Sequence, residues 1–137
     1  MRWLLDANVL SEVEKPRPDA RVSSWLLQHE AAAAVSELTT GELTKGVFTR
    51  PAGPARERLA AWIHGIEREL GERLLPVTLE VFKRWSRLCG EMEARGRRLP
   101  VMDSLLAATA LVHDLTLVTR NTEDFPAEVP TLNPWRR

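Results

Sequence analysis

The apolar residues of this chain fall into short unbroken runs that alternate with longer stretches of helical spacing. A short continuous apolar run is typical of a strand that is covered on both faces of a sheet. The runs therefore predict buried strands, at residues 2–5, 32–36, 74–77, 115–119 and 131–132.

The longer stretches carry apolar residues three and four positions apart, which predicts helices with one buried face. The predicted helices cover residues 7–13, 39–48, 55–70, 81–94 and 102–113, and a further helix is capped by Asp19 and runs through Leu26. Gly96 is expected to end the helix at 81–94, and the almost wholly apolar helix at 102–113 is expected to be buried on most sides. Strands that alternate with helices predict an α/β fold with a parallel sheet.

Length and composition narrow the class of protein. The 137 residues predict a single domain over residues 1–137. The 19 basic and 19 acidic side chains balance, which excludes a strongly basic nucleic-acid-binding module but not an enzyme with a local basic rim. The one cysteine, Cys89, cannot form an internal disulfide, and no signal segment or membrane-length apolar stretch is found, so we expect a cytoplasmic protein.

Aspartate is rare in this chain, and its positions are informative. Asp6 ends the first predicted strand, Asp103 opens the buried helix, and Asp124 follows the strand at 115–119. Glu42 lies in the first turns of a helix whose apolar face packs inward. Taken singly, each has a structural alternative: Asp6 as a helix cap, Asp103 as a favourable charge at a helix start, Asp124 as a turn residue, and Glu42 as a partner of Lys45.

Taken together, these four residues predict a metal site, because the ends of parallel strands meet at one edge of a sheet. Carboxylates that lie so close together would repel one another, and a bound divalent cation would neutralise this repulsion. Oxygen ligands suit Mg²⁺ or Mn²⁺, which can activate a water to attack a phosphodiester. The histidines are scattered and offer no zinc site. Arg97 and Arg98 precede Asp103 and are candidates to bind RNA phosphates, with a solvated loop as the alternative.

Four segments in order resemble the PIN domain of VapC-type toxins, and the resemblance spans essentially the whole chain. They are Leu-Leu-Asp6-Ala-Asn8-Val, Ser36-Glu-Leu-Thr39-Thr-Gly-Glu42-Leu, Asp103-Ser-Leu-Leu-Ala-Ala-Thr-Ala and Leu-Val-Thr119-Arg-Asn121-Thr-Glu-Asp124-Phe. The ending Leu132-Asn133-Pro134-Trp135 is similar to the FitB-type subgroup.

The resemblance implies a three-layer α/β/α sandwich and the toxin half of a type II toxin–antitoxin pair. It further implies a Mg²⁺- or Mn²⁺-dependent endoribonuclease, a homodimer, and inhibition by a small antitoxin. By matching position, the implied metal ligands are Asp6, Glu42 and Asp103. The polar residues implied to support the site through hydrogen bonds are Asn8, Ser36 and Thr119.

Two positions depart from the family pattern. Ala7 stands where a threonine is common, and Asn121 stands where many relatives carry a fourth acid. Asn121 can offer only a neutral oxygen, and Asp124 is the candidate to replace the missing acid in metal binding and catalysis. Whether the site holds one cation or two therefore stays open.

Three other functions compete with the ribonuclease hypothesis. A catalytically weak binding module with the PIN fold is favoured by Asn121, and a metal nuclease acting on DNA would use the same acids. A phosphoacceptor receiver domain would need two acids after the first strand and a late lysine. Here Asp6 stands alone and the last lysine is Lys83.

Overall fold

The computed structural model describes residues 1–136 and contains a five-stranded parallel sheet with strand order β3-β2-β1-β4-β5. The strands are β1 (Trp3–Leu5), β2 (Ala33–Ser36), β3 (Leu74–Leu75), β4 (Thr116–Val118) and β5 (Thr131–Leu132). Every predicted strand is present, although β3 and β4 are two residues shorter than predicted. Arg137, the last residue of the predicted domain, lies outside the described residues.

Six α-helices within residues 1–136 connect and cover the strands. They are α1 (Ala7–Glu14), α2 (Ala20–His29), α3 (Glu37–Thr49), α4 (Pro54–Leu70), α5 (Leu79–Ala94) and α6 (Val101–His113). The predicted starts of α3 and α5 were two residues too late, because capping residues open these helices earlier. The Ser36 hydroxyl accepts a hydrogen bond from the Leu38 N–H (3.0 Å), and the Thr78 hydroxyl accepts one from the Val81 N–H (3.2 Å).

The sheet is packed between two apolar layers, because successive strand residues point to opposite faces. One face of the sheet joins α5 and α6 in a cluster that includes Leu4, Leu117, Leu88, Met92 and Leu106. The other face joins α1 and α2 in a cluster that includes Trp3, Leu5, Val9, Val22 and Trp25. The predicted three-layer α/β/α sandwich is therefore confirmed.

Helix α6 is buried on most sides, as its composition predicted. Seven consecutive residues, Ser104–Ala110, are buried. The small side chains of Ala107, Ala108 and Ala110 are fully covered, which allows neighbouring elements to approach the helix closely. Burial of the helix body fixes the position of its first turn, which carries Asp103. No helix within residues 1–136 combines the length and the apolar character needed to cross a membrane.

The central strand should tolerate truncation poorly. Leu4 is fully buried in β1, whereas Leu27 on α2 is 75% exposed. We expect Leu4→Ala to lower the free energy of unfolding by about 2–5 kcal/mol, from lost burial and the cavity left behind. The matched change Leu27→Ala should stay within about 0.5 kcal/mol of wild type. Urea unfolding measures both, and equal effects would contradict this packing.

Candidate metal-binding site

Three carboxylates line one small pocket at the carboxyl edge of the sheet. Asp6 directly follows β1, Glu42 lies on α3, and Asp103 lies in the first turn of α6. The rest of the lining consists of Leu38, Thr39, Met102 and Leu106. The pocket encloses about 10 Å³, which is room for about one water-sized group. The fold therefore brings together three residues that are distant in sequence and were predicted to meet.

Asp6 is fixed by hydrogen bonds from both sides. Its Oδ1 accepts the Ala7 N–H (2.7 Å), and its Oδ2 accepts the Thr119 hydroxyl (2.8 Å). Its backbone N–H donates to the carbonyl oxygen of Val118 (3.0 Å), so Asp6 joins the ends of β1 and β4. Burial raises the pKa of the Asp6 carboxyl above its usual value, and the two hydrogen bonds to its side chain oppose that rise.

Thr119 connects Asp6 to two asparagines. Its hydroxyl oxygen accepts hydrogen bonds from the Asn8 side-chain N–H (3.3 Å) and from the Asn121 backbone N–H (3.3 Å). The side-chain oxygen of Asn8 is buried and has no hydrogen-bond partner. An unpaired buried acceptor is costly, so this oxygen is available to a donor or a cation.

The three carboxylates interact electrostatically. Burial raises the pKa of Glu42, and the negative charges of Asp6 and Asp103 raise it further, against the opposing charge of Lys45. Burial likewise raises the pKa of Asp103, with further contributions from Asp6 and Asp124. Each ionised carboxylate thus makes it harder to ionise its neighbours.

Ser36, predicted to support the site, acts on it from a distance. Its hydroxyl oxygen caps α3 through the Leu38 N–H, so its hydrogen bond fixes the start of the helix that carries Glu42. Thr39 and Thr40, in the same helical turn, are buried. Ser36 therefore sets where Glu42 lies rather than contacting a carboxylate.

Asp124 and Asn121 lie beside the carboxylate pocket, not in its lining. Both are exposed and line a second cavity, which we call the arginine pocket; it is formed chiefly by Arg21, Arg120, Arg136, Trp135, Asn121 and Asp124. The charge of Asp124 still reaches Asp103, and Asn121 contacts the site through its backbone N–H. Sequence reasoning missed the Arg120–Trp135 contact, although Arg120 stands between two of the quoted motif residues.

Arg97 and Arg98 lie in the exposed loop between α5 and α6. They line a third cavity together with Trp85, Cys89 and Leu99. The carboxylates do not line this cavity, but its Val101 is only two residues from Asp103. This third cavity therefore adjoins the first turn of α6, which also carries Asp103.

The donor set of the carboxylate pocket fits a hard divalent cation. Within residues 1–136, no three acidic, histidine or cysteine side chains already stand in ligand positions around one point, so the carboxylates would have to rotate inward to share an ion. Every candidate donor is an oxygen, which favours Mg²⁺ or Mn²⁺ over zinc. The mutual repulsion of the carboxylates is the feature that a bound cation would relieve.

This chain is similar in sequence to one protein-family model and to known proteins. The family model described as PIN domain matches residues 3–127. The VapC ribonuclease Y4jK of Sinorhizobium fredii is 32% identical over 96% of both chains. The toxin FitB of Neisseria gonorrhoeae is 34% identical over 96% of this chain and 97% of its own length.

A solved structure is also similar to this chain in sequence and fold. The crystal structure of FitAcB from Neisseria gonorrhoeae superposes with a TM-score of 0.91 at 32% identity, covering 98% of this chain and 99% of that one. Similarity of sequence and fold over almost the whole length establishes that this chain belongs to the PIN-domain family.

Proposed function

We propose that this protein is the toxin of a type II toxin–antitoxin pair and an endoribonuclease that hydrolyses RNA with Mg²⁺ or Mn²⁺. The observation that carries the proposal is the convergence of Asp6, Glu42 and Asp103 on one pocket at the sheet edge. The names of two relatives, VapC ribonuclease and toxin FitB, support RNA as the substrate and toxicity as the biological role.

Asp6, Glu42 and Asp103 would hold the cation. A bound Mg²⁺ or Mn²⁺ supplies an activated water and neutralises charge on the phosphate. Asp6 is the most rigid of the three ligands, because Thr119 and the Ala7 N–H fix both of its oxygens. Asp124 would add negative charge at the Asp103 side of the pocket, and Asn121 would contribute a neutral oxygen at most.

The proposed role also implies a partner chain, an oligomeric state and a cell compartment. A toxic ribonuclease has to be held inactive until it is needed, so we propose that a small antitoxin chain binds it. We further propose that residues 1–137 act as one domain, that two copies form a homodimer, and that the protein meets its RNA substrate in the cytoplasm.

Removing the charge of Asp6 should abolish cleavage. We expect Asp6→Asn to lower Mg²⁺-dependent RNA cleavage more than about a hundredfold, since losing even an indirect partner of a metal ligand typically costs 10–100-fold. The measurement is cleavage of RNA and of DNA of the same sequence, with Mg²⁺ and with EDTA.

Asp114→Asn is the matched control. Asp114 is an exposed residue at the end of α6 with φ 54°, a conformation that asparagine adopts readily, so this variant should cleave like wild type. Full activity of a folded Asp6→Asn variant, or cleavage of wild type that persists in EDTA, would contradict the proposed site. Preferential cleavage of the DNA would instead favour a DNA nuclease.

The acidic pocket should destabilise the metal-free protein at neutral pH. A carboxyl whose pKa is raised by folding favours the folded state below its ordinary pKa, 3.8 for Asp and 4.5 for Glu, and loses that contribution as pH rises through the raised value. We therefore expect Glu42→Gln to raise the Tm in EDTA at pH 7, with the gain fading towards pH 4.

The control for this change is Glu69→Gln, at an exposed position on α4. Differential scanning fluorimetry across the pH range, with and without Mn²⁺, makes the comparison. Mn²⁺ should raise the Tm of wild type more than that of Glu42→Gln. A lower Tm for metal-free Glu42→Gln at pH 7 would contradict charge repulsion in the pocket.

The loop between α5 and α6 should contribute to RNA affinity. We expect the double change Arg97→Ala and Arg98→Ala to weaken binding and to reduce the slope of log K against log salt by about 0.7 for each lost phosphate contact. Fluorescence anisotropy with single-stranded RNA at several salt concentrations gives the slope. The control is the double change of two exposed arginines elsewhere, Arg68→Ala and Arg87→Ala. An unchanged slope relative to wild type would show that the loop is only solvated.

A further inference from the structure

The arginine pocket is a second cavity beside the carboxylates. It encloses about 510 Å³, which lies within the range of roughly 300–1,000 Å³ that is typical of small-molecule sites. Its lining combines three arginines with two acids, Glu123 and Asp124. A cavity of this size and charge can receive a ligand that is both planar and anionic.

The two pockets are linked through hydrogen bonds and through an electrostatic interaction. Arg120 and Asn121 follow Thr119, whose hydroxyl donates to Asp6, and the Asn121 N–H donates back to that hydroxyl. On the other side, Asp124 belongs to the arginine pocket and acts electrostatically on Asp103. The segment from Thr119 to Asp124 therefore borders both pockets, so one extended chain molecule can contact both.

Arg120 is the cation of this pocket that remains available to a ligand. Arg21 forms an ion pair with Asp19 (2.9 Å), and Arg136 forms one with Glu123 (3.1 Å). None of the ion pairs formed within residues 1–136 involves Arg120, and its side chain is exposed. Its positive charge is therefore not committed to a carboxylate of this part of the chain.

The Arg120 guanidinium lies on a fixed aromatic platform. It lies 5.2 Å from the centroid of the Trp135 ring, and the residue Trp135 is only 7% exposed. Asn133 connects the two backbones, because its side-chain N–H donates to the Arg120 carbonyl (3.1 Å) and its side-chain oxygen accepts the Trp135 N–H (2.9 Å). The guanidinium thus lies over the indole ring, and Arg120 remains open to solvent.

We propose that the arginine pocket binds the nucleotide next to the scissile phosphate of a single-stranded RNA. The base stacks on the Arg120 guanidinium, as unstacked RNA bases do on arginine planes, and the flanking phosphate contacts the positive charge there. An acidic peptide fits less well, because its carboxylate side chains offer no flat ring to stack on the guanidinium. The inference rests on the proposed ribonuclease function and assigns part of its substrate recognition to Arg120.

The test measures the binding of a short single-stranded RNA in EDTA, so that no cleavage occurs, by anisotropy at several salt concentrations. We expect Arg120→Ala to weaken binding about tenfold, in the range found when a base loses its stacking partner, and to reduce the salt slope by about 0.7. Arg120→Lys should restore the slope but not the full affinity, because lysine keeps the charge and loses the plane.

The matched control is Arg56→Ala. Arg56 also lies over an aromatic ring, 5.3 Å from the centroid of Phe48, but lines neither the carboxylate pocket nor the arginine pocket. This variant should bind RNA like wild type. A second measurement uses RNA with 2-aminopurine at successive positions, whose fluorescence should be quenched by wild type at one position and not by Arg120→Ala.

The outcomes separate this inference from the function on which it rests. If wild type with Mg²⁺ fails to cleave RNA at all, the proposed function is wrong. If wild type cleaves and Arg120→Ala binds RNA with unchanged affinity and slope, or no more weakly than Arg56→Ala, the arginine pocket is not a substrate site. Complete rescue by Arg120→Lys would overturn the stacking of the base.

Discussion

Repulsion among three carboxylates in one small pocket is the constraint on which the chemistry of this protein depends. Asp6, Glu42 and Asp103 line about 10 Å³ of space, and burial and mutual charge raise the pKa of Glu42 and Asp103. Such an arrangement is unfavourable for the empty protein at neutral pH and becomes favourable once a cation is bound. Under the proposed function, the carboxylates would lower the folding stability of the metal-free protein and raise its affinity for a metal ion.

The fold holds these charges together by burying the elements that carry them. β1 lies in the middle of the sheet, so Asp6 cannot move away without breaking the hydrogen bonds that join it to Thr119 and Val118. The body of α6 is buried, and its first turn keeps Asp103 at the edge. The Ser36 cap fixes the start of α3 and with it the position of Glu42. Because these elements are buried, they resist local unfolding, and the three carboxylates cannot move apart to reduce their repulsion.

Much of this arrangement could be predicted from the sequence, because it depends on local pattern and chain topology. The apolar run before Asp6 indicated a strand end, and the alternation of strands and helices indicated that such ends meet. The placement of Asn121 and Asp124 in a neighbouring cavity could not be predicted, since it depends on a short 3-10 turn at Thr122–Asp124. The position of Arg120 over the Trp135 ring depends on how the last residues pack on the sheet, which no local pattern reveals.

The proposed metal site is tested most directly by a crystal structure of the protein soaked in Mn²⁺, with the ion located by its anomalous scattering. We expect one strong peak at the carboxyl edge of the sheet, with carboxylate oxygens of Asp6, Glu42 and Asp103 at ligand distance, about 2.1 Å. A peak that is ligated by other residues, or no peak in crystals of folded protein at saturating Mn²⁺, would contradict it.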